Sequence, residues 1–366
     1  MIWDTLKKSL LAELGQRIDS RADAADRESL HNLSDAFFCR FPAEDLRERS
    51  VENLYGCLYG LLRFMNSWPE AAPKIRIFNP EIQSHGWESR YTVVAILCRG
   101  IPFCTASVRG ELNRRNLTIH SIASSNLFTR RDESGELSQV LTDEAGTGGD
   151  AAKEALLYFE IGRHTNPSEL DELRHALEEI LGEVALVVDD FPAMSGCLEE
   201  VESQILASES VDLDLREEAA AFIAWLRQAH MTLLGYEYLE VKHPGKAKQH
   251  VAVVKKASLG MLRNRETRGA DDLRSDLEHI SAEDLRRRQL SFSKSRHRSR
   301  VHRLTYPDYV EVKVFNPKLV FPKRLIPSIH SIISANHDKI VRTKILDARA
   351  YTGIFQTLCG KSFFFV

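Results

Sequence analysis

The chain has 366 residues, of which 43% are hydrophobic and 28% charged, and its formal net charge at pH 7 is −3. This length suffices for two or more domains, and the composition is ordinary for a soluble globular protein. No stretch approaches the roughly 20 apolar residues of a membrane-spanning helix. Charged residues interrupt the first apolar segment at Lys7, Lys8 and Glu13, so that segment is not predicted to be a signal peptide.

The two signs of charge are concentrated in different parts of the chain. Residues 1–290 contain 35 Lys and Arg against 48 Asp and Glu, whereas residues 291–366 contain 14 against 4. The basic end is therefore a candidate contact for nucleic acid, for a membrane surface or for the acidic part of the same chain.

The six cysteines form no CxxC pair and are scattered over the chain at Cys39, Cys57, Cys98, Cys104, Cys197 and Cys359. In a chain of this length such scatter is typical of reduced thiols, not of a disulfide framework. We therefore expect a cytoplasmic protein.

Residues 1–66 are predicted to be helical. Leu6, Leu10, Leu14 and Ile18 recur at four-residue spacing and form one apolar stripe. The helical pattern continues through "SVENLYGCLYGLLRFM" and is broken by the prolines of "SWPEAAP". Apolar and polar residues then alternate in "KIRIFNP", which predicts a short strand.

A strand, a helix and a second strand are predicted next, over residues 90–98, 101–115 and 117–131. The first strand is short and rich in β-branched residues. Pro102 suits the first turn of the helix, where the missing N–H group costs nothing. Glu111 lies four residues before Arg115, a spacing that supports a helical ion pair.

The following segments predict a strand over 155–163, a helix over 166–182 and a last strand over 183–191. Asn166 is placed to cap the helix, Pro167 is its first residue and Gly182 its end. The β-branched run in "EVALVVDDF" favours the last strand.

In chain order these elements give β-α-β-β-α-β. That is the order of a ferredoxin-like α+β fold, in which two split βαβ units place both helices on one face of a four-stranded antiparallel sheet. Later segments predict helices within 195–230, a hairpin from 232–241 and 250–256, partly helical structure over 263–290 and a strand over 306–317. The predicted division is 1–70 (N-terminal helical segment), 74–191 (ferredoxin-like domain), 192–230 (helical linker), 231–317 (second mixed α/β region) and 318–366 (tail).

Two short motifs invite a functional interpretation. "GTGGDA" at 146–151 matches the dinucleotide-binding pattern, but it does not lie between a strand and a helix and is interpreted as a loop. "KSRHRSRVHR" at 294–303 holds five Lys or Arg and two His, which suits either a phosphate or nucleic-acid patch or a solvated segment. RNA-recognition sheets carry stacking aromatics in a Gly-aromatic pattern. This chain has only Tyr158 and Phe159 in "LLYFEIG", without that pattern, so the sequence does not favour RNA binding.

The thirteen histidines show no metal-binding pattern, neither HExxH nor a pairing with cysteines at zinc spacing. His85 and His120 are candidate general bases, but neither has an assignable nucleophile or carboxylate partner. We expect His85 and Trp87 to fix the entrance of the strand at 90–98. By residue chemistry alone the chain is typical of a binding or regulatory module and not of a complete enzyme.

Ten segments of the chain are collectively more specific than these motifs: "SVENLYG", "IRIFNP", "HGWES", "YTVVAIL", "IPF", "SVRGELNRR", "LTIH", "WLRQAHMTLLGYEYLE", "LGMLR" and "SRVHRLTYPDYVEVK". In this order, over roughly residues 28–316, they resemble the N-terminal region of the large bacterial NAD-specific glutamate dehydrogenases. Three positions depart from the usual pattern of that family: Tyr91, Ala95 and Ala106, the last at a position that is usually acidic.

The resemblance implies that the ferredoxin-like unit is an ACT-type regulatory domain and that the region after it is partly helical and PAS-like. It also implies an oligomeric parent enzyme that converts L-glutamate, NAD and water to 2-oxoglutarate, ammonia and NADH. In the family the catalytic lysine and the NAD-binding fold follow this region, so no catalytic, cofactor-binding or metal-binding residue is assigned here. The expected partners are the dehydrogenase region of the same enzyme and further copies of the chain.

The resemblance fades after about Lys318. We expect the residues after that point, to the final "KSFFFV", to be the divergent tail of a truncated or frameshifted gene product.

ACT-type domains bind small amino-acid effectors near the loop between a strand and a helix. The corresponding loop here makes Arg99, Gly100, Ile101 and Phe103 the candidate effector-binding residues, with the N–H groups of the following helix available to a carboxylate. Two alternatives stay open: a stand-alone ACT-type sensor or interaction protein, and an RNA-binding module of the same fold.

Overall fold

The computed structural model describes residues 2–39, 41, 43–68, 72–141, 151–207, 213–230, 232–242, 252–263, 290–294, 308–314 and 323–333. The chain divides into two compact units, Met1–Gly182 and Glu183–Val366. Among the described helices, none combines the length and the apolar character that crossing a bilayer requires.

The first unit begins with helices, as predicted: α1 (Ile2–Arg21), α2 (Ala24–Phe38), α3 (Ala43–Arg47) and α4 (Val51–Met65). Ser50 caps α4, because its side chain accepts a hydrogen bond from the backbone N–H of Asn53 at 3.2 Å. Leu14 and Ile18 of the predicted apolar stripe are completely buried.

A five-stranded sheet follows, built from β1 (Lys74–Phe78), β2 (Thr92–Arg99), β3 (Ile119–Arg131), β4 (Leu137–Leu141) and β5 (Ala152–Ile161). The spatial order is β1-β2-β5-β3-β4, and every neighbouring pair is antiparallel. The short helices α5 (Ile82–His85) and α6 (Cys104–Arg114) lie between β1 and β2 and between β2 and β3 along the chain. Because β5 separates them, β2 and β3 run parallel, which makes β2-α6-β3 a split βαβ unit.

The predicted last strand at 183–191 is wrong. Those residues lie inside α7, which runs without a break over Pro167–Leu206. The sheet position beside β2, which the predicted β-α-β-β-α-β order reserves for that strand, is occupied by β1. The predicted end of the helix at Gly182 is wrong for the same reason, whereas its predicted start is confirmed: Asn166 Oδ1 accepts from the backbone N–H of Ser168 at 3.1 Å.

The periodicity of burial explains why 183–191 is helical. A series of buried positions recurs every three or four residues along α7 on both sides of Gly182: Leu173, Leu177, Ile180, Val184, Val187, Asp190, Met194, Leu198, Val201 and Ile205. Ala176 and Leu181 beside this series are buried too. A strand would instead bury every second residue. The β-branched residues of "EVALVVDDF" therefore serve a helical apolar stripe, and local strand propensity is overridden by packing.

Both faces of the sheet are covered. On one face the N-terminal helices share a core with the sheet, in which the ring of Tyr158 on β5 lies 5.5 Å from that of Phe37 and 5.9 Å from that of Phe41. On the other face α6 lies over β3, with the hydroxyl groups of Thr105 and Ser124 2.8 Å apart.

The second unit contains the end of α7, the helix α8 (Leu213–Trp225) and a short π-helix (Leu226–His230). Five strands follow: β6 (Thr232–Lys242), β7 (Ala252–Gly260), β8 (Leu290–Lys294), β9 (Asp308–Val314) and β10 (Lys323–Ile333). They form an antiparallel sheet in the order β7-β6-β10-β9-β8, which confirms the predicted hairpin of β6 with β7 and the strand at 306–317. Strand β10 lies in the predicted tail.

Some predictions fall on other parts of the chain. Three of them lie outside the described residues: the "GTGGDA" loop up to Asp150, residues 295–303 of the basic segment, and the partly helical segment predicted over 263–290. Of that last segment only the two end residues, Arg263 and Leu290, are described.

Candidate functional site

The four candidate effector-binding residues lie together in the turn that connects β2 to α6. The backbone N–H of Gly100 donates to the carbonyl oxygen of Lys153 on β5 at 2.9 Å, and that of Ile101 donates to Arg99 at 2.8 Å. A Cβ atom on Gly100 would lie 2.6 Å from the Lys153 side chain and 3.0 Å from its carbonyl oxygen, which explains the glycine. The turn is therefore anchored directly against the neighbouring strand.

Phe103 ends this turn in a left-handed backbone conformation, with φ 71°. For a bulky residue that conformation costs of the order of 1 kcal/mol, so the surrounding structure must hold it. Its carbonyl oxygen accepts from the N–H of Ser107 at 2.9 Å. Helix α6 consequently begins at Cys104 and not, as predicted, at 101 with Pro102 in its first turn. The amide groups of the first turn of α6 follow the candidate residues directly.

Two cysteine thiols meet behind the turn, an arrangement that the sequence interpretation missed. The side chains of Cys98 on β2 and Cys104 on α6 are hydrogen-bonded to each other, and both residues are almost completely buried. The hydrogen bond from Cys98 lowers the pKa of the Cys104 thiol below its ordinary value of 9.0, with the local backbone N–H and Arg99 acting in the same direction against burial. The same hydrogen bond and burial raise the pKa of Cys98.

A polar cleft of about 980 Å³ lies at the other end of the same sheet. Residues from α3, α4, the segment before β2, the start of β3 and the end of β5 line it, among them Asp45, Arg49, Glu88, Tyr91, Ser121 and Glu160. They come from distant parts of the chain. His120 and Tyr91, which the sequence analysis singled out, are among the lining residues, but no pattern in the sequence indicates that these residues meet in one cleft.

A buried ion pair forms the floor of the cleft. Arg49 donates to Glu160 at 2.6 Å, and the hydroxyl group of Tyr158 donates to the same carboxylate at 2.8 Å. Burial raises the pKa of Tyr158 well above its ordinary value of 10.0, so this hydroxyl group keeps its proton and acts as a donor. Arg49 and Tyr158 together satisfy the hydrogen-bonding capacity of the Glu160 carboxylate, so this ion pair has a structural role.

Charged side chains of both signs line the cleft: the carboxylates of Glu44, Asp45, Glu48, Glu81 and Glu88 and the guanidinium groups of Arg49, Arg90 and Arg163. Arg90 pairs with Glu48 at 3.2 Å and Arg163 pairs with Glu81 at 3.7 Å, so part of the negative charge is compensated within the cleft.

The two candidate histidines lie near the cleft but face aromatic rings. His120 stacks on Tyr91, with ring centroids 4.1 Å apart. His85 packs against Phe78 at 4.9 Å and accepts from the backbone N–H of Glu81 at 3.2 Å. Trp87 is buried against α4: a Cβ atom added to Gly56 would lie only 2.8 Å from the Cβ atom of Trp87. These contacts join His85 and Trp87 to Phe78 of β1 and to Gly56 of α4, and the expectation that the two residues fix the entrance of β2 stays a prediction.

The aromatic residues considered for RNA binding have no exposed surface. Tyr158 and Phe159 point to opposite faces of β5, and both side chains are completely buried. They cannot stack on bases, as the exposed rings of RNA-recognition sheets do.

Comparison with known proteins places the first sheet and the turn after β2 within one known domain family. The glutamate dehydrogenase ACT1 domain family matches residues 33–177, a range that includes the whole first sheet and the turn after β2. The NAD-specific glutamate dehydrogenase of Halomonas elongata is 36% identical over 308 residues, which are 83% of this chain and 19% of that protein. That of Pseudomonas aeruginosa is 35% identical over 289 residues, 78% of this chain and 18% of that protein.

The chain thus spans about a fifth of the length of the curated relatives it matches. Residues 33–177 belong to the ACT1 domain family of glutamate dehydrogenases, and the chain corresponds to the N-terminal region of the NAD-specific glutamate dehydrogenases.

Proposed function

We propose that this chain is the regulatory and structural N-terminal portion of a cytoplasmic NAD-dependent glutamate dehydrogenase and is inactive alone. The observation that carries the proposal is the ACT1 match over 33–177, which spans a sheet with an anchored strand-to-helix turn. The parent reaction would be the conversion of L-glutamate, NAD and water to 2-oxoglutarate, ammonia and NADH. Its partners would be the dehydrogenase region of the same enzyme and further copies of the chain.

The arrangement of β2, β5 and β3 around α6 supports a ferredoxin-like interpretation of the first unit. In this proposal β1 replaces the C-terminal edge strand, so the sheet keeps the ferredoxin-like strand order while the chain enters it from the N-terminal side. The PAS-like interpretation of the second unit stays a prediction.

We further propose that the turn formed by Arg99, Gly100, Ile101 and Phe103 binds the carboxylate of an amino-acid effector. Three features support this: an exposed arginine, a glycine that brings the backbone close to β5, and the N-terminal turn of α6, whose dipole favours an anion.

Ligand-induced stabilisation tests the effector site. The full chain would be heated with each common amino acid in turn, and unfolding followed by fluorescence. A ligand at 100 times its Kd stabilises by about 2.7 kcal/mol, which corresponds to a rise in Tm of roughly 5–10 °C. Arg99→Ala should abolish the rise, whereas Arg90→Ala, an exposed arginine near the opposite end of β2, should keep it. An equal rise in both variants would refute the site.

Glutamate-dependent formation of NADH tests the rest of the proposal. The purified chain is expected to form none, while the full-length Pseudomonas aeruginosa relative serves as the positive control. Steady NADH formation by the chain itself, lost on omission of glutamate, would overturn the assignment as a regulatory portion. Because this assay does not involve the turn, the two parts of the proposal fail independently.

A further inference from the structure

The polar cleft at the end of the first sheet has no role in the function proposed above. Its volume of about 980 Å³ lies within the range of about 300–1,000 Å³ that is usual for small-molecule sites. Every described residue that lines it belongs to the first unit, so all of its walls are part of one compact body. The cleft is therefore a candidate binding site of this unit alone.

The charges that line the cleft do not balance. Its arginines are used in three ion pairs: Arg49 with Glu160, Arg90 with Glu48 and Arg163 with Glu81. Glu44, Asp45 and Glu88 line the same cleft, and none of them forms an ion pair within the described part of the chain. Asp45 accepts a hydrogen bond from the hydroxyl group of Ser121 at 2.9 Å, but this neutral donor leaves the charge uncompensated.

The three unpaired carboxylates are distributed over two walls of the cleft. Glu44 and Asp45 belong to α3, whereas Glu88 lies after α5, where its backbone N–H donates to Asn53 of α4 at 3.3 Å. Among the described residues, no three carboxylate, imidazole or thiol groups converge closely enough to hold one metal ion. The unpaired negative charge therefore suits a cation whose positive charges are spread along its length.

The same lining is less suitable for an amino acid, because the ligand carboxylate would need a cationic partner. The lining arginines are already paired, and no lysine is among the described residues of the cleft. An apolar surface is present instead, since the side chain of Ile82 lines the cleft and is 58% exposed. Methylene groups of an aliphatic amine can pack against it and remove it from water.

We propose that the cleft binds a linear aliphatic polyamine. Its ammonium groups donate charge-assisted hydrogen bonds to Glu44 or Asp45 on one wall and to Glu88 on the other, and its methylene chain covers Ile82. This ligand is a cation without a carboxylate, whereas the turn after β2 is proposed to bind a carboxylate at the opposite end of the sheet. The inference therefore does not rest on the effector site.

Isothermal titration calorimetry of the full chain with spermidine at low salt tests the site. We expect saturable binding of one molecule, which weakens as sodium chloride is added. Glu44→Gln/Glu88→Gln should bind spermidine about tenfold more weakly, because two of the unpaired carboxylates are lost. The matched control is Glu133→Gln/Glu172→Gln, which removes the same charge from two exposed positions outside the cleft and should bind as the wild type does.

Two other ligands test the chemical class. Free lysine, which carries a carboxylate, and Mg²⁺, which needs converging ligands, should each bind at least about tenfold more weakly than spermidine. The proposal is overturned if the wild type does not bind spermidine, if the two double variants bind it equally, or if lysine or Mg²⁺ binds as tightly. Arg99→Ala should leave spermidine binding unchanged, so the cleft and the effector turn can fail independently.

Discussion

At the scale of single residues, Glu160 shows how a buried charge is kept in this protein. Its side chain is 2% exposed, and it is paired with Arg49, whose side chain is 18% exposed. The hydroxyl group of Tyr158 supplies a further hydrogen bond, so the carboxylate is satisfied without water. Removing one partner of such a pair leaves an uncompensated charge in a poorly solvated place.

We therefore expect Glu160→Gln to lower the free energy of unfolding of the chain by about 3 kcal/mol, because Arg49 stays buried without a counter-charge. Urea denaturation measures this loss. The matched control is Glu48→Gln, which removes the same charge from an exposed pair with Arg90, whose side chains are 74% and 72% exposed. That change should stay within about 0.5 kcal/mol of the wild type. Similar losses in both variants would show that Glu160 is not the buried partner described here.

A charged pair could be predicted from the sequence only when its two residues lie close together in the chain. The pairing of Glu111 with Arg115 follows from helical spacing alone and is confirmed at 2.9 Å. The pair of Arg49 with Glu160 joins residues 111 positions apart, and the contact of Cys98 with Cys104 depends on the course of a turn. Local periodicity carries no information on such contacts, so the cleft and the thiol pair had to come from the structure.

At the scale of elements, β1, β2 and β5 were predictable because each contains a short apolar or β-branched run bounded by polar residues or turns, and the longer β3 was predicted as well. Strand β4 (Leu137–Leu141) was not predicted. Helix α7 was not predictable, because it contains the two signals that usually end a helix, a glycine at 182 and a proline at 192. Its apolar stripe nevertheless continues across both positions. Over 40 residues the periodic burial outweighs the local cost of either residue.

Substitution of Gly182 separates the two interpretations of this segment. In a continuous helix, Gly182→Ala should raise the free energy of unfolding by about 0.5–1 kcal/mol, since alanine loses less backbone entropy and no atom outside the helix lies within 4 Å of its Cβ. A helix that ended there in a left-handed glycine would be destabilised instead. Thermal or urea unfolding gives the sign.

Gly86→Ala is the matched control for that experiment. Gly86 ends α5 at φ 76°, also with no atom within 4 Å of an added Cβ, so only the backbone conformation differs between the two sites. We expect a loss of roughly 1 kcal/mol there. A loss at Gly182 as well would contradict the continuous α7.

At the scale of the whole molecule, the helices before β1 and the first sheet share one core. The cluster contains side chains of α1, α2 and α4 together with Val93, Leu97, Leu156 and Tyr158 of the sheet. The sequence division into 1–70 and 74–191 separates these two groups at the prolines of "SWPEAAP". We infer that this boundary marks a change of secondary structure within one folding unit, because neither group covers its apolar surface without the other.

Native-state hydrogen exchange of Phe37→Ala tests that inference. Phe37 is completely buried between Phe38, Phe41 and Tyr158, so its truncation should lower the stability of the unit by about 3–5 kcal/mol. If helices and sheet unfold together, the slowest amides of α4 and of β5 should lose the same amount of protection. Ile82→Ala, at a 58% exposed side chain, should leave both unchanged. Loss of protection in α4 while β5 keeps the wild-type value would show that the helical segment is an independent unit.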